Sequence, residues 1–199
     1  MLNLVPYLMA STSVAILLLN RIRLATGLLL GQYLLAFLIS LPVLPVRTLA
    51  ARLIGGILVC VILFTSDRRF RGGGTFQQSE SLPRSFWFRL ITSLIVFIVA
   101  WAFANQNQAS QPILARYVFL GAIFNICFGT LMLGLYQSPL EATIGLLTLL
   151  IGFDLFYGGV EPSLAIVVLM ISIQLIISLA TSYIMSITYL SRKPTKGLS

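Results

Sequence analysis

The sequence predicts an all-α membrane protein, a polytopic bundle of about seven transmembrane helices. Of its 199 residues, 58% are hydrophobic and only 9% are charged. The mean hydropathy of +1.00 is too high for a domain whose surface faces water. Apolar runs of about 20 residues, the length that a helix needs to cross a bilayer, alternate with polar or proline-containing breaks. Barrel strands would alternate apolar and polar residues, so the runs indicate helices.

The residue types that the chain lacks exclude several kinds of site. There is no histidine, which excludes bis-histidine haem ligation, histidine-dependent zinc sites and serine–histidine or cysteine–histidine nucleophiles. Cys60 and Cys127 fall inside predicted spans with no second ligand at metal-site spacing, so we interpret both as packing residues. We therefore expect no metal and no cofactor.

The basic residues predict how the chain is oriented in the membrane. The formal net charge is +8, but these side chains lie at the ends of apolar runs, not in an exposed stripe with aromatics, which argues against a nucleic-acid partner. With seven helices, ten of the 13 basic residues fall on one side and only Arg47, Arg52 and Arg116 on the other. The positive-inside rule then predicts an external N-terminus and a cytoplasmic C-terminus. We expect the membrane to be the bacterial plasma (inner) membrane.

The predicted helices divide the chain into blocks. Residues 1–65 contain helices 1–3, and the polar residues 66–84 are predicted to form a cytoplasmic loop. Residues 85–137 contain helices 4 and 5, residues 138–190 contain the helix pair 6 and 7, and residues 191–199 form a basic cytoplasmic tail. Small residues let helix backbones approach closely in membranes, above all at GxxxG spacing. The predicted packing glycines are Gly27, Gly31, Gly55, Gly56 and Gly129.

Asp154 is the first candidate for a functional residue. It lies about 14 residues beyond Leu140 in helix 6, or roughly 21 Å along a span of about 30 Å. A carboxylate within an apolar helix costs about 2.5–3.5 kcal/mol on insertion scales, so it is either paired with a neighbouring helix or used to move charge. Glu141 and Glu161 are further candidates for a proton relay, although each also suits a helix N-terminus, where a carboxylate complements the helix dipole.

Helix 7 carries a stripe of polar residues. Gln174, Ser178, Ser182 and Ser186 recur every four residues and therefore share one side of the helix. Such a stripe either joins helices through hydrogen bonds or lines a hydrated path. The turn between helices 6 and 7 is very short, so Asp154 and Gln174 are expected on adjacent antiparallel helices. Gln174 is therefore a candidate for the same relay.

Two segments resemble a known family of membrane subunits. LLIGFDLFYGG, which contains Asp154, resembles the L-x-G-I-E-L-M stretch of the K-type (4L-like) small membrane subunit of NADH-quinone oxidoreductase. Asp154 occupies the position of that family's intramembrane glutamate. QLIISLA, at residues 174–180, is similar to the E-A-A-x-G-L-A stretch on its following helix, with Gln174 in place of the second glutamate.

The resemblance covers helices 5–7 and leaves helices 1–4 unexplained by the short K-type form. Related subunits occur in multisubunit cation/proton antiporters and in group 4 hydrogenases, where the E-type component is nearer to this chain in length. The family's role implies proton relay through two carboxylates. This chain retains one titratable group, because an aspartate replaces the first glutamate and the amide of Gln174 does not titrate.

Three functions are compatible with the sequence. The first is an accessory subunit of a proton-translocating respiratory-type complex, in which Asp154 takes and releases a proton beside a larger antiporter-like subunit. The second is a structural subunit that packs between larger membrane proteins, with Asp154 satisfied by an arginine or by backbone of a partner. The third is a small autonomous transporter, although internal repeats and helix breaks near the midplane, which are usual in transporters, are not evident.

Overall fold

The computed structural model describes residues 4–18, 22–71, 86–106, 115–136, 138–161 and 163–192. These residues form seven α-helices and no strand, which confirms the predicted all-α class. The helices are α1 (Val5–Leu18), α2 (Ile22–Ser40), α3 (Val46–Arg71), α4 (Phe86–Gln106), α5 (Arg116–Leu135), α6 (Pro139–Val160) and α7 (Leu164–Arg192).

Five of the described helices, α3 to α7, are long and apolar enough to cross a membrane. Helix α1 and the Leu24–Ser40 part of α2 are also apolar but shorter within the described residues. The molecule is therefore an integral membrane protein by the length and composition of its helices.

Two predicted boundaries are corrected by the structure. Helix α3 continues to Arg71, so the polar segment does not begin as a loop at residue 66. The sequence has neither glycine nor proline between Gly56 and Gly72, and polar residues in a helix each cost only tenths of a kcal/mol. Helix α7 begins at Leu164, not at Glu161 as predicted. Residues 72–84 of the predicted loop and 193–199 of the predicted tail lie outside the described residues.

Helices α5 and α6 pack antiparallel with their backbones in close approach. A Cβ on Gly129 of α5 would lie 2.5 Å from the backbone nitrogen of Leu149 on α6. In the other direction, a Cβ on Gly152 of α6 would lie 2.8 Å from the carbonyl oxygen of Ala122. Only glycine fits where two backbones meet in this way. The structure thus places Gly129, one of the predicted packing glycines, at a helix contact, and adds Gly152.

Helices α3 and α7 lie side by side and run in the same direction. A Cβ on Gly55 would lie 2.5 Å from the side chain of Ile171, and Ser66 is hydrogen-bonded to Ser182 eleven residues further along each helix. Both pairs are 116 residues apart in the sequence, so the two helices keep one register between them. Gly56 faces the other neighbour, α2, where its Cβ would lie 2.6 Å from the ring of Tyr33.

The predicted close contact at Gly27 and Gly31 is not found in the described part of the chain. A Cβ at either position would have no neighbouring atom within 4 Å. The GxxxG spacing makes close approach possible, but only where the rest of the fold brings a second helix to that face. In α2 the close contacts are made on other faces, for example by Tyr33 against Gly56.

The apolar core lies where α1, α2, α5 and α6 meet. Its largest fully buried side chains include Phe124 and Phe128 of α5, Ile16 of α1 and Ile151 of α6. Helices α4 and α7 are peripheral, with 17% and 22% of their spanning windows buried. Their outer faces are apolar, as contact with lipid requires.

Candidate functional site

The candidate site is a buried ion pair between Asp154 of α6 and Arg52 of α3. Arg52 Nε lies 2.6 Å from Asp154 Oδ2, and the side chains are 2% and 6% exposed. The geometry is that of a charge contact and not of an aligned hydrogen bond. Two charges removed from water cost several kcal/mol each, so neither is expected here without the other. Asp154 therefore has a partner within its own chain.

Arg52 is held by more than the carboxylate. Its Nη1 donates a hydrogen bond to Ser40 Oγ at 2.6 Å, and its Nη2 donates to the backbone carbonyl of Asp154 at 3.0 Å. Ser40 is the last residue of α2, so one guanidinium joins α2, α3 and α6. Gly158, one turn after Asp154, leaves the room that the guanidinium needs, because a Cβ there would lie 2.7 Å from Nη2.

The carboxylate of Asp154 is only half satisfied. Its Oδ1 is buried and has no hydrogen-bond partner among the described residues. Buried polar atoms are paired in the large majority of native structures, and each exception calls for an explanation such as a bound water or a proton-transfer role. The site thus has one fixed oxygen at Oδ2 and one oxygen that is open to a further proton or donor.

Gln174 of α7 has its partner on α2. Tyr33 Oη donates a hydrogen bond to Gln174 Oε1 at 3.0 Å, and both side chains are buried. The ring of Tyr33 packs against Gly56, which lies one turn after Arg52 on α3. The Tyr33–Gln174 pair therefore lies against α3 one turn after Arg52.

The polar stripe of α7 faces its neighbours only in part. Ser178 is fully buried and donates to its own helix at the carbonyl of Leu175. Ser182 is hydrogen-bonded to Ser66 of α3 at 2.8 Å. Ser186 is half-buried and continues the same side towards the end of the helix.

A second group of buried polar side chains lies between α1, α2, α5 and α6. Gln32 Nε2 donates to Ser13 Oγ at 2.7 Å, and Gln32 Oε1 accepts from Thr148 at 3.2 Å. Ser13 Oγ lies 3.4 Å from Asn125 Oδ1. Each of these side chains has a partner on another helix, so the group is a closed set of interhelical hydrogen bonds.

The two glutamates proposed as relay candidates lie outside this buried site. Glu141 is in the first turn of α6, where its backbone N–H donates to the N-cap side chain of Ser138. Glu161 is exposed and follows the last turn of α6 as its C-cap. Glu141 thus lies at a helix N-terminus, where its charge complements the helix dipole, whereas Glu161 ends α6 and does not begin α7.

Sequence reasoning missed Arg52 and Tyr33. Arg52 was grouped with the basic residues at membrane boundaries, yet it lies six residues inside α3 and is buried. A basic residue that deep in an apolar helix is itself a signal for a buried acidic partner. Tyr33 gave no comparable signal, because tyrosine is common in membrane helices.

Comparison with known proteins adds no assignment: no family model, no curated protein and no solved structure matches the chain. The described residues contain no group of three or more cysteines, aspartates and glutamates that is placed to hold a metal ion. The chemistry available at the site is therefore that of its own side chains: a carboxylate beside a fixed cation, a phenol, amides and hydroxyls.

Proposed function

We propose that this chain is an accessory integral membrane subunit of a proton-translocating respiratory-type complex, an NADH-quinone oxidoreductase, hydrogenase or antiporter-like assembly. Asp154 is its proton-carrying group. The observation that carries the proposal is the half-satisfied carboxylate, with Oδ2 against Arg52 and Oδ1 buried without a hydrogen-bond partner among the described residues. A carboxylate with a purely structural role is expected to have both oxygens satisfied. Oδ1 is the position at which a proton is accepted.

The surroundings of Arg52 support a change of charge at Asp154. When the carboxylate is ionised, it neutralises the guanidinium directly. When it is protonated, Arg52 keeps its hydrogen bonds to Ser40 Oγ and to the Asp154 carbonyl, which do not depend on the carboxylate charge. Arginine itself stays protonated in both states. These two hydrogen bonds hold the guanidinium in place in both forms of the acid, although they do not neutralise its charge.

The partner class follows from the resemblance of helices α5 to α7 to K-type subunits. Asp154 and Gln174 lie on α6 and α7, the two helices that carry the resembling stretches. In the related complexes such a subunit packs beside larger antiporter-like subunits, and we propose the same kind of partner here. The outer faces of α4 and α7 offer apolar surface to such a subunit as well as to lipid.

An autonomous transporter is less well supported. Transporter sites are commonly formed by helices that are interrupted by glycine or proline near the midplane. The only prolines within the described helices are Pro6 and Pro139, and both lie in the first turn of their helix.

A structural membrane subunit is the second candidate. The observation in its favour is that Arg52 satisfies Asp154 within the chain, so the pair is able to join α3 to α6 without any partner protein. In that case the pair is permanently ionised. Removing the carboxylate then leaves a buried cation, at a cost of about 3–5 kcal/mol.

Asp154→Asn tests the proposal, because asparagine has the size of the protonated acid but does not titrate. We expect the tagged variant to co-purify with its complex in mild detergent as the wild type does, and we expect proton uptake by inverted membrane vesicles to be lost. Asp154→Glu should retain much of the uptake. Glu161→Gln is the matched control, since it removes an exposed carboxylate at the end of the same helix.

The two candidate functions give different results with Asp154→Asn. Normal assembly without proton uptake supports the relay. Lost assembly, restored by adding Arg52→Gln, supports the structural role, because the second change removes the uncompensated cation. Normal assembly with full proton uptake overturns the relay. The absence of antiporter-like proteins from the purified complex argues against the proposed partners.

A further inference from the structure

Polar side chains lie along the interface between α3 and α7. They continue from the region of the ion pair towards the C-terminal ends of these two helices, at Arg71 and Arg192, which we call the basic end of the molecule. Tyr33 and Gln174 come first, and the ring of Tyr33 packs against Gly56, one turn after Arg52 on α3. Ser178 follows one turn further along α7, and the hydrogen-bonded pair of Ser182 and Ser66 comes after it. We call five of these residues the polar file, namely Tyr33, Ser66, Gln174, Ser178 and Ser182.

We infer that the polar file is a water-containing route by which Asp154 exchanges protons with the basic end of the molecule. The inference rests on the proposed function, since it gives Asp154 a proton to exchange. It goes beyond that function because it names a route and includes Tyr33 of α2 and Ser66 of α3, two helices outside the part of the chain that resembles K-type subunits.

The spacing of the polar file suits single water molecules. Gln174, Ser178 and Ser182 are four residues apart, so their side chains are about 5–6 Å apart along the helix. One water that bonds to two oxygens at about 2.8 Å each spans such a gap. Along α7 the file covers eight residues, or about 12 Å at 1.5 Å per residue.

The polar file pairs across helices at Tyr33–Gln174 and at Ser66–Ser182, as the group around Gln32 does, but Ser178 differs. Gln32 uses both ends of its amide on side chains of other helices, which is the pattern of interhelical attachment. Ser178 donates only to its own helix at Leu175 and therefore keeps its oxygen lone pairs for another donor, although it is fully buried. Beyond the Tyr33–Gln174 end of the polar file, Asp154 Oδ1 is buried and has no hydrogen-bond partner among the described residues.

The test measures how fast single cysteines react with silver ion. Silver ion is small enough to follow a narrow aqueous route. It binds the thiolate form of cysteine, which forms readily only where the side chain contacts water. Cysteine replaces Ser178 or Ser182 in a background without Cys60 and Cys127. Membrane vesicles of both orientations are treated, then denatured, and the remaining free thiols are counted with a fluorescent maleimide.

Two positions on α7 serve as controls. Leu179→Cys lies beside Ser178 on the exposed apolar face, and Val167→Cys is fully buried but outside the polar file. We expect Ser178→Cys and Ser182→Cys to react at least about tenfold faster than both controls, and faster when silver is added at the basic end. If Ser178→Cys reacts as slowly as Val167→Cys, the interface is dry and the proposed route is overturned.

The measurement separates this inference from the function on which it rests. Silver accessibility does not depend on whether Asp154 carries a proton. Fast reaction at Ser178→Cys together with full proton uptake by Asp154→Asn would overturn the relay and, with it, the assignment of the route to Asp154. Slow reaction together with lost uptake in Asp154→Asn would overturn the route and leave the relay standing.

Discussion

At the scale of single residues, the guanidinium of Arg52 decides what Asp154 is able to do. It is anchored at three points, by the carboxylate, by Ser40 and by a backbone carbonyl. A cation that depended on the carboxylate alone would be left uncompensated whenever the acid took up a proton. If Asp154 takes up a proton as proposed, the contacts with Ser40 and with the backbone carbonyl of Asp154 keep the guanidinium in place.

This reasoning predicts coupling between Ser40 and Asp154. Ser40→Ala removes a hydrogen bond to a charged group, which costs about 1.5–3 kcal/mol, and Asp154→Asn alone is expected to fold. In the double variant Arg52 keeps the backbone carbonyl and faces a neutral amide in place of the carboxylate, so it should lose about 1 kcal/mol or more beyond the sum of the single changes. Thermal unfolding in detergent, followed by size-exclusion chromatography, measures the effect. Strictly additive losses would show that Ser40 does not support the guanidinium.

At the scale of helices, the closest contacts are those between α5 and α6. Gly129 meets the backbone of Leu149, and Gly152 meets the backbone at Ala122. Because backbone atoms have no rotamers with which to move aside, even one methyl group forces the two helices apart. The contact of Gly55 with Ile171 is different, since the neighbour there is a side chain.

Gly129→Ala is accordingly expected to destabilise the protein by about 1–3 kcal/mol, as overpacking does. Gly27→Ala is the matched control, because a Cβ at Gly27 meets no atom within 4 Å among the described residues. Alanine is the better helix former, so the control should be neutral or slightly stabilising. Thermal unfolding of the two variants in the same detergent compares them. Equal melting temperatures would mean that α5 and α6 are less tightly packed than described.

At the scale of the whole molecule, orientation depends on charge and not on packing. If all seven helices cross the membrane, as the sequence predicts, the ends of the chain lie on opposite sides and ten of 13 basic residues share the side of the C-terminus. Lysine and arginine in short loops are retained on the cytoplasmic side during insertion. The orientation is therefore a prediction from the charge distribution.

Two single cysteines test the orientation. Gln77→Cys lies in the predicted cytoplasmic segment and Gln108→Cys in the predicted external one, both outside the described residues. In intact cells lacking Cys60 and Cys127, a membrane-impermeant maleimide should label only the Gln108→Cys variant. Labelling of the Gln77→Cys variant alone would reverse the model.

The sequence alone determined the fold class and the number of helices, and it singled out Asp154 as a candidate functional residue. These follow from local properties, because a run of about 20 apolar residues reports a membrane span wherever it occurs. A carboxylate inside such a run is likewise costly in any arrangement of helices. Boundaries were less certain where polar residues continue a helix beyond the bilayer, as at Arg71.

Only the tertiary structure decided which residues meet. The partner of Asp154 is 102 residues away in the sequence, and nothing near either residue specifies the other. The same holds for glycines: Gly129 meets a backbone and Gly27 meets open space, although both looked alike in the sequence. Helix formation in a membrane is set by composition along one segment. Helix pairing is set by complementary shape and polarity between segments far apart in the chain, and that information exists only once they are brought together.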